Sequence, residues 1–291
     1  MAIVLGDNRY GKAETRLVHI ARDGVRHALT DLNVSIALAG DLAATHHSGD
    51  NSQVLPTDSQ KNTVYAFARQ HGVGQIEDFG ARLARHFVRT LHAIGHAEVT
   101  IEQFGWRQLG PHSFERTGGE TRTATVNYDG QRLRVVSGLT GLVLLNSTAS
   151  EFTGYVRDRY TTLPETTDRV LATAVDARWR HLAPDTDRAA PHTDWAASYD
   201  GVRSALVEAF VGTYSCSLQQ TLLAMGTRVL QARPEVAEIR LTLPNRHHLP
   251  VDLSPFGLDN PGEVFVATDR PYGLIEGTVT RDDVPSDAGR W

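Results

Sequence analysis

The sequence holds a single cysteine, Cys216, in 291 residues. No disulfide can form within the chain, and no multi-cysteine zinc site can be built. Positive charge is not in excess either: 29 Lys and Arg stand against 34 Asp and Glu, a net charge of −5. Nucleic-acid binders usually carry a basic surplus or stripe, so that class is set aside. Long apolar runs are missing as well. Stretches such as "GLTGLVLL", ending at Leu145, fall far short of the roughly 20 residues of a membrane helix, so no membrane partner is expected. The opening "MAIVLGDNRYGK" meets glycine and charge too early for a secretory signal, and the closing "DAGRW" is no peroxisomal tripeptide. The expectation is a cytoplasmic protein. Signature loops are absent too: no Gly-x-Gly-x-x-Gly after a strand, no phosphate loop and no Gly-x-Ser-x-Gly elbow. The adjacent pairs His46-His47 and His247-His248 diverge in a strand or a helix, so no metal is expected. Any reaction must then run on side chains and substrate alone.

What is present is regular. Hydrophobic residues make up 41% and charged residues 22%, as in an ordinary globular protein with room for one large domain or two smaller ones. Two extended stretches flank Asp23-Gly24, a hairpin signal. In the second, Leu32, Val34, Ile36 and Leu38 alternate with Asn33, Ser35 and Ala37, so one face is buried. A polar segment leads to a helix starting near Thr57 and stopped by Gly72 and Gly74. A second helix from about Gln75 carries Ile76, Phe79, Leu83, Phe87 and Leu91 at steps of three and four. "EVTIEQFGWRQL" and "TRTATVNYDG" read as two more strands.

The same order returns after about Gln131. "RLRVVSGLTGLVLLNST" and "DRVLATAVDARW" predict strands, helices start near Asp194 and Ser217, and "EVAEIRLTLP" and "GLIEGTVT" close the series. "HLAPDTDRAAPHTD" and "LSPFGLDNPGE" read as loops. The expected fold is α+β, with two tandem ββααββ units at 1–130 and 131–291, each an antiparallel sheet with its helices on one face. The other face of such a sheet needs covering, so oligomerisation is expected on physical grounds.

Four stretches hold polar residues that the elements do not require. Lys12 follows Gly11 ahead of the first strand, where a solvated lysine is the plainer reading. Thr57, with Gln60 three residues on, matches a capping box, yet a helix N-terminus also suits an anion. Phe152 and Arg169 bracket a polar, irregular segment. Apart they are a loop anchor and a surface cation; together they offer the flat face and cationic fork that a planar anionic heterocycle requires. Asn245 and His247 stand two apart and share a side if the segment is extended.

Taken in order, "YGKAE", "TDSQKNTVYAFA", "SEFTGYVRDRYTTLPETTDR", "LQQTL", "LPNRHHLPVDL", "DNPGEVF" and "DRPYGLIEGTV" resemble the urate oxidase (uricase) family, from about Val4 to Val279. The resemblance implies the tunnelling fold (T-fold), with two tandem ββααββ units per chain in a barrel-like homotetramer. It implies oxidation of urate by dioxygen and water to 5-hydroxyisourate and hydrogen peroxide, with no metal or organic cofactor. It further implies that Arg169 and Gln219 grip one edge of urate, that Leu218 offers a backbone N–H, and that Phe152 stacks under the ring. Asn245 would hold dioxygen or water above that plane. Proton transfer would fall to Lys12, Thr57 and His247, with Asp58 presenting its backbone N–H. The pincer and the Lys12 group would come from different subunits. Pro56, ahead of Thr57, departs from the small non-proline residue expected there. Two other readings remain open: a cyclohydrolase-like T-fold enzyme for purines or pterins, and a non-catalytic purine-binding scaffold.

Overall fold

The computed structural model describes residues 1–22, 24–182 and 193–284. Asp23 of the expected hairpin turn, and most of the loop read between the eighth strand and the fourth helix, lie outside these. Strands β1 (Tyr10–Ala21) and β2 (Ala28–Gly40) open the chain, followed by helices α1 (Ala43–Ser48), α2 (Thr57–His71) and α3 (Ile76–Thr90). Then come β3 (Ile94–Phe104), β4 (Trp106–Gln108), β5 (Phe114–Arg116), β6 (Thr121–Tyr128), β7 (Leu133–Asn146) and β8 (Leu171–His181). The last part holds α4 (Trp195–Gly212), α5 (Leu218–Ala232), β9 (Val236–Asn245), β10 (His248–Pro250), β11 (Phe265–Ala267) and β12 (Gly273–Thr280). The class is α+β.

Contacts divide the chain into two compact units, one of Met1–Gly138 with Arg180–Ser198, the other of Leu139–Trp179 with the residues from Tyr199 onward. In the first, strands run in the order β1-β2-β3-β6, each pair antiparallel. Because side chains alternate along a strand, Leu32, Val34, Ile36 and Leu38 of β2 are buried together with Val99, Ile101, Ala124 and Val126. The apolar stripes of α2 (Val64, Ala68) and α3 (Phe79, Leu83, Phe87) complete this core. Full burial of a side chain such as Phe79 or Phe87 stabilises by about 1.5–3 kcal/mol. One buried carboxylate starts α3: Glu77 accepts from Arg122 Nη2 and from the Ser137 hydroxyl, both at 2.8 Å.

The second unit runs in the order β7-β8-β9-β12, with β9 and β12 antiparallel. Its core joins Leu139, Val175 and Trp179 to Phe210 of α4, Leu222, Met225 and Val229 of α5, and Ile239, Leu241 and Leu243 of β9. Helix α5 lies so close to β12 that a Cβ at Gly226 would sit 2.4 Å from Val279 Cγ2; only glycine allows that approach.

Three features differ from the sequence-based expectation. The polar segment before α2 contains the short helix α1, and β4 and β5 add a small hairpin. Strand β9 ends at Asn245, so Asn245 and His247 do not lie on one strand. The Arg246 amide leaves the β9–β12 ladder and donates to the Ala172 carbonyl (2.8 Å), while the His247 carbonyl accepts from Thr268 N–H (2.9 Å).

Candidate active site

The first unit brings Lys12, Thr57 and Asp58 to one place. On β1, Lys12 pairs with Ile36 and Thr15 with Val34, so three steps on one strand match two on the other. This is a β-bulge, with Glu14 at φ 56° and its N–H donating to the Ser35 hydroxyl (3.0 Å). Such an extra residue re-aims neighbouring side chains and recurs beside active sites. Here it keeps Lys12, opposite the buried Ile36, on the helix side of the sheet. Gly11 makes the local geometry possible, since a Cβ there would lie 1.8 Å from the Ile36 carbonyl oxygen.

Helix α2 does not start as the capping-box pattern suggests. Pro56 is the N-cap, at φ −53° and ψ 139°, and no side chain caps the helix. Thr57 is the first helical residue, and its hydroxyl makes no hydrogen bond among the described residues. Gln60 is drawn into the core instead of back to the cap. Its Nε2 donates to the Leu55 carbonyl (3.4 Å), and Leu55 N–H donates to the Tyr10 hydroxyl (3.1 Å). Those contacts pin the entry of α2 onto β1. The first helical bond runs from Gln60 N–H to the Pro56 carbonyl (3.2 Å), which leaves the Thr57, Asp58 and Ser59 amides at the open end. The Asp58 carboxylate turns away to Lys61 and Asn62. Its hydrogen bond to the Lys61 ammonium holds it below the usual carboxylate range, and Lys12 adds a weaker pull. Lys12 is therefore within electrostatic reach of the helix start.

The second unit assembles the other candidates. Phe152 and Thr166 exchange backbone bonds (2.8 and 3.2 Å), closing the irregular segment into a loop whose base carries Phe152 on one side and leads to Arg169 on the other. The Arg169 guanidinium carbon lies 5.3 Å from the Phe152 ring centre. Burial lowers the Arg169 pKa from its ordinary value. Among the described residues no carboxylate pairs with it. Leu218 and Gln219 open α5, where the Ser217 hydroxyl accepts from Gln220 N–H (3.2 Å) as N-cap. Leu218 is buried, whereas Gln219 is exposed. Asn245 ends β9 opposite Gly273, and the Arg246 bond to Ala172 ties this end to the strand that follows Arg169. His247 is half-buried beyond it.

Sequence reasoning missed Tyr155. It stacks on Phe152 with ring centres 4.8 Å apart and an interplanar angle of 16°. Tyr155 thereby covers one face of the Phe152 ring and stiffens it. The signal was the "FTGY" spacing: Gly154, at φ 69°, turns the chain so that Tyr155 returns over Phe152. His92 and His96 stand four apart, a spacing that aligns side chains on a helix, but turn and strand hold them here. Among the described residues no three His, Cys, Asp or Glu side chains converge.

An α+β scaffold that sets a half-buried arginine, with no carboxylate partner among the described residues, beside a backed aromatic ring has the chemistry that suits a flat anion. The comparisons with known proteins give the family. The profile described as Uricase matches residues 8–127 and 135–276. A uricase from Arthrobacter globiformis is 48% identical over 291 residues, spanning 99% of this chain and 94% of the relative. A uricase from Oryctolagus cuniculus is 34% identical over 284 residues, with 94% and 93% covered. The crystal structure of the Arthrobacter globiformis uricase superposes with a TM-score of 0.94 at 48% identity, covering 99% of each chain. The chain belongs to the uricase family.

Proposed function

We propose that this chain is a cofactor-independent urate oxidase, active as a homotetramer built from T-fold units at 1–130 and 131–291. Urate gives up two electrons to dioxygen, which takes two protons and leaves as hydrogen peroxide. Water supplies the oxygen of the new hydroxyl in 5-hydroxyisourate. The electrons come from the purine itself, so the protein's work is to hold the anion, exclude competing geometries and move protons.

The observation that carries this reading is Arg169: a partly desolvated guanidinium with no carboxylate partner among the described residues, beside an aromatic ring. A buried cation is costly to leave unpaired, and a planar anion supplies the missing charge in bidentate form. Gln219 takes the adjoining edge, the Leu218 amide assists, and Phe152 fixes the plane of the ring. Asn245 holds dioxygen or water over that plane. Lys12 acts as base through the Thr57 hydroxyl, His247 passes protons on the peroxide side, and the Asp58 amide contacts the ligand. The free hydroxyl of Thr57 favours this role, since capping does not consume it. The Lys12 group and the Arg169 group meet across a subunit boundary. A cytoplasmic location fits the chemistry of the lone thiol.

A cyclohydrolase-like enzyme anchors its heterocycle with a glutamate, where this chain offers Arg169 and Gln219. A silent scaffold has no use for Lys12, Thr57 and His247 together. The test is turnover by the pure, chelator-treated protein with urate in air, followed by loss of urate absorbance and by peroxide. Peroxide formed in a 1:1 ratio to urate consumed is expected. Binding without turnover supports the scaffold instead.

A further inference from the structure

We infer that Ser150 is a positioning residue that locks the Arg169 guanidinium, from a backbone anchored through Ser215 to the segment that starts α5. The inference rests on the urate-binding reading above. Ser150 is fully buried, with 0% exposure. It holds Arg169 twice: its carbonyl accepts from the Arg169 backbone N–H (2.9 Å), and its hydroxyl oxygen accepts from Arg169 Nε (3.1 Å). A guanidinium has five N–H donors in a planar fork. Fixing Nε fixes that plane and leaves both Nη groups for a ligand.

The hold continues away from the arginine. Ser150 bridges to Ser215, with Ser215 N–H donating to the Ala149 carbonyl (3.0 Å) and Glu151 N–H donating to the Ser215 carbonyl (2.8 Å). Ala149, at φ 60°, adopts the left-handed region that side chains rarely occupy, which these two bonds sustain. The Ser215 hydroxyl, also 0% exposed, donates to the Ser217 carbonyl (3.1 Å) and accepts from the Thr221 hydroxyl (2.8 Å). Ser217 caps α5, whose first two residues are Leu218 and Gln219. Hydrogen bonds and the backbone of Ala149–Glu151 thus connect the Arg169 guanidinium to the first turn of α5. None of these hydroxyls is placed to touch the ligand, so Ser150 acts through Arg169. Buried networks of this kind rigidify when every member is satisfied.

The experiment compares Ser150→Ala with the parent protein in urate turnover and in direct binding of a non-oxidisable purine anion. Loss of the Nε bond is expected to raise KM and the analogue Kd by about tenfold, with kcat changed less than about threefold. A double-mutant cycle separates positioning from general loosening. In an Arg169→Gln background, Ser150→Ala should not weaken analogue binding further, whereas a purely structural role would add its full effect again. Should Ser150→Ala not fold, Ser150→Cys keeps the volume with a far weaker acceptor and reads the same quantities. An unchanged KM in a folded variant, or additive losses in the cycle, overturns the inference. Failure of the parent protein to bind or oxidise urate strikes the functional reading instead.

Discussion

Replacing Lys12 with methionine should slow urate oxidation by about 10²–10⁴-fold, the usual reach of a positioned proton-transfer group. Affinity for a non-oxidisable purine anion should stay within about threefold, because Arg169 and Gln219 provide that grip. The split follows from where the groups stand. Lys12 is kept on the helix side of β1 by the bulge at Ala13 and Glu14, within electrostatic reach of Asp58 at the start of α2. Arg169 belongs to the other unit. Methionine keeps the length and apolar stem of lysine, so the strand pairing should survive. Steady-state kinetics and analogue titration on the same preparation read both quantities. Loss of tight binding together with turnover would show that Lys12 holds the ligand rather than moving protons.

Arg169→Gln should produce the converse pattern. Removing one partner of a desolvated charge pair costs about 2–5 kcal/mol of binding, a rise in the analogue Kd of roughly 30-fold to several thousand-fold. Little of the loss should come from unfolding. The guanidinium makes no salt bridge among the described residues, so the substitution breaks no ion pair within the chain. Calorimetry for binding and a thermal melt for stability separate the two effects. A variant that binds the analogue as well as the parent would remove Arg169 from the site. Arg169→Lys is no safe control, because an ammonium cannot reproduce the planar fork.

Much of the scaffold was legible because its signals are periodic. The alternation from Leu32 to Leu38 named the buried face of β2, and the stripe from Ile76 to Phe87 named the buried face of α3. The helix starts near Ser217 and Asp194 also stand where composition placed them. What stayed hidden depends on single backbone decisions. Thr57 and Gln60 spell a capping box, but Pro56 takes the cap and Gln60 is pulled inward by Leu55 and Tyr10. No periodicity announces the bulge after Lys12; it emerges only once β1 is laid against β2. The end of β9 at Asn245, two residues before His247, carries no sequence signal either.

The proposed site residues stand out in a different way. Lys12, Arg169 and His247 are ordinary letters in isolation, and only the ordered set of motifs distinguished them from solvated charges. Ser150, Ser215 and Thr221 carried no signal at all. Isolated hydroxyl residues fit turns, caps and cores equally well, and their partners are distant in sequence. Three-dimensional contacts alone reveal that Ser150 holds the arginine and that Ser215 and Thr221 bond each other beside the same backbone bridge.

The most direct trial is a crystal structure of the assembled protein soaked with a non-oxidisable purine anion. One ligand per site is expected, with Arg169, Gln219 and Phe152 from one chain on one side and Lys12, Thr57 and Asp58 from its neighbour on the other. A purine bound elsewhere, or one held by Arg169 with no Lys12 within reach of its edge, contradicts the account.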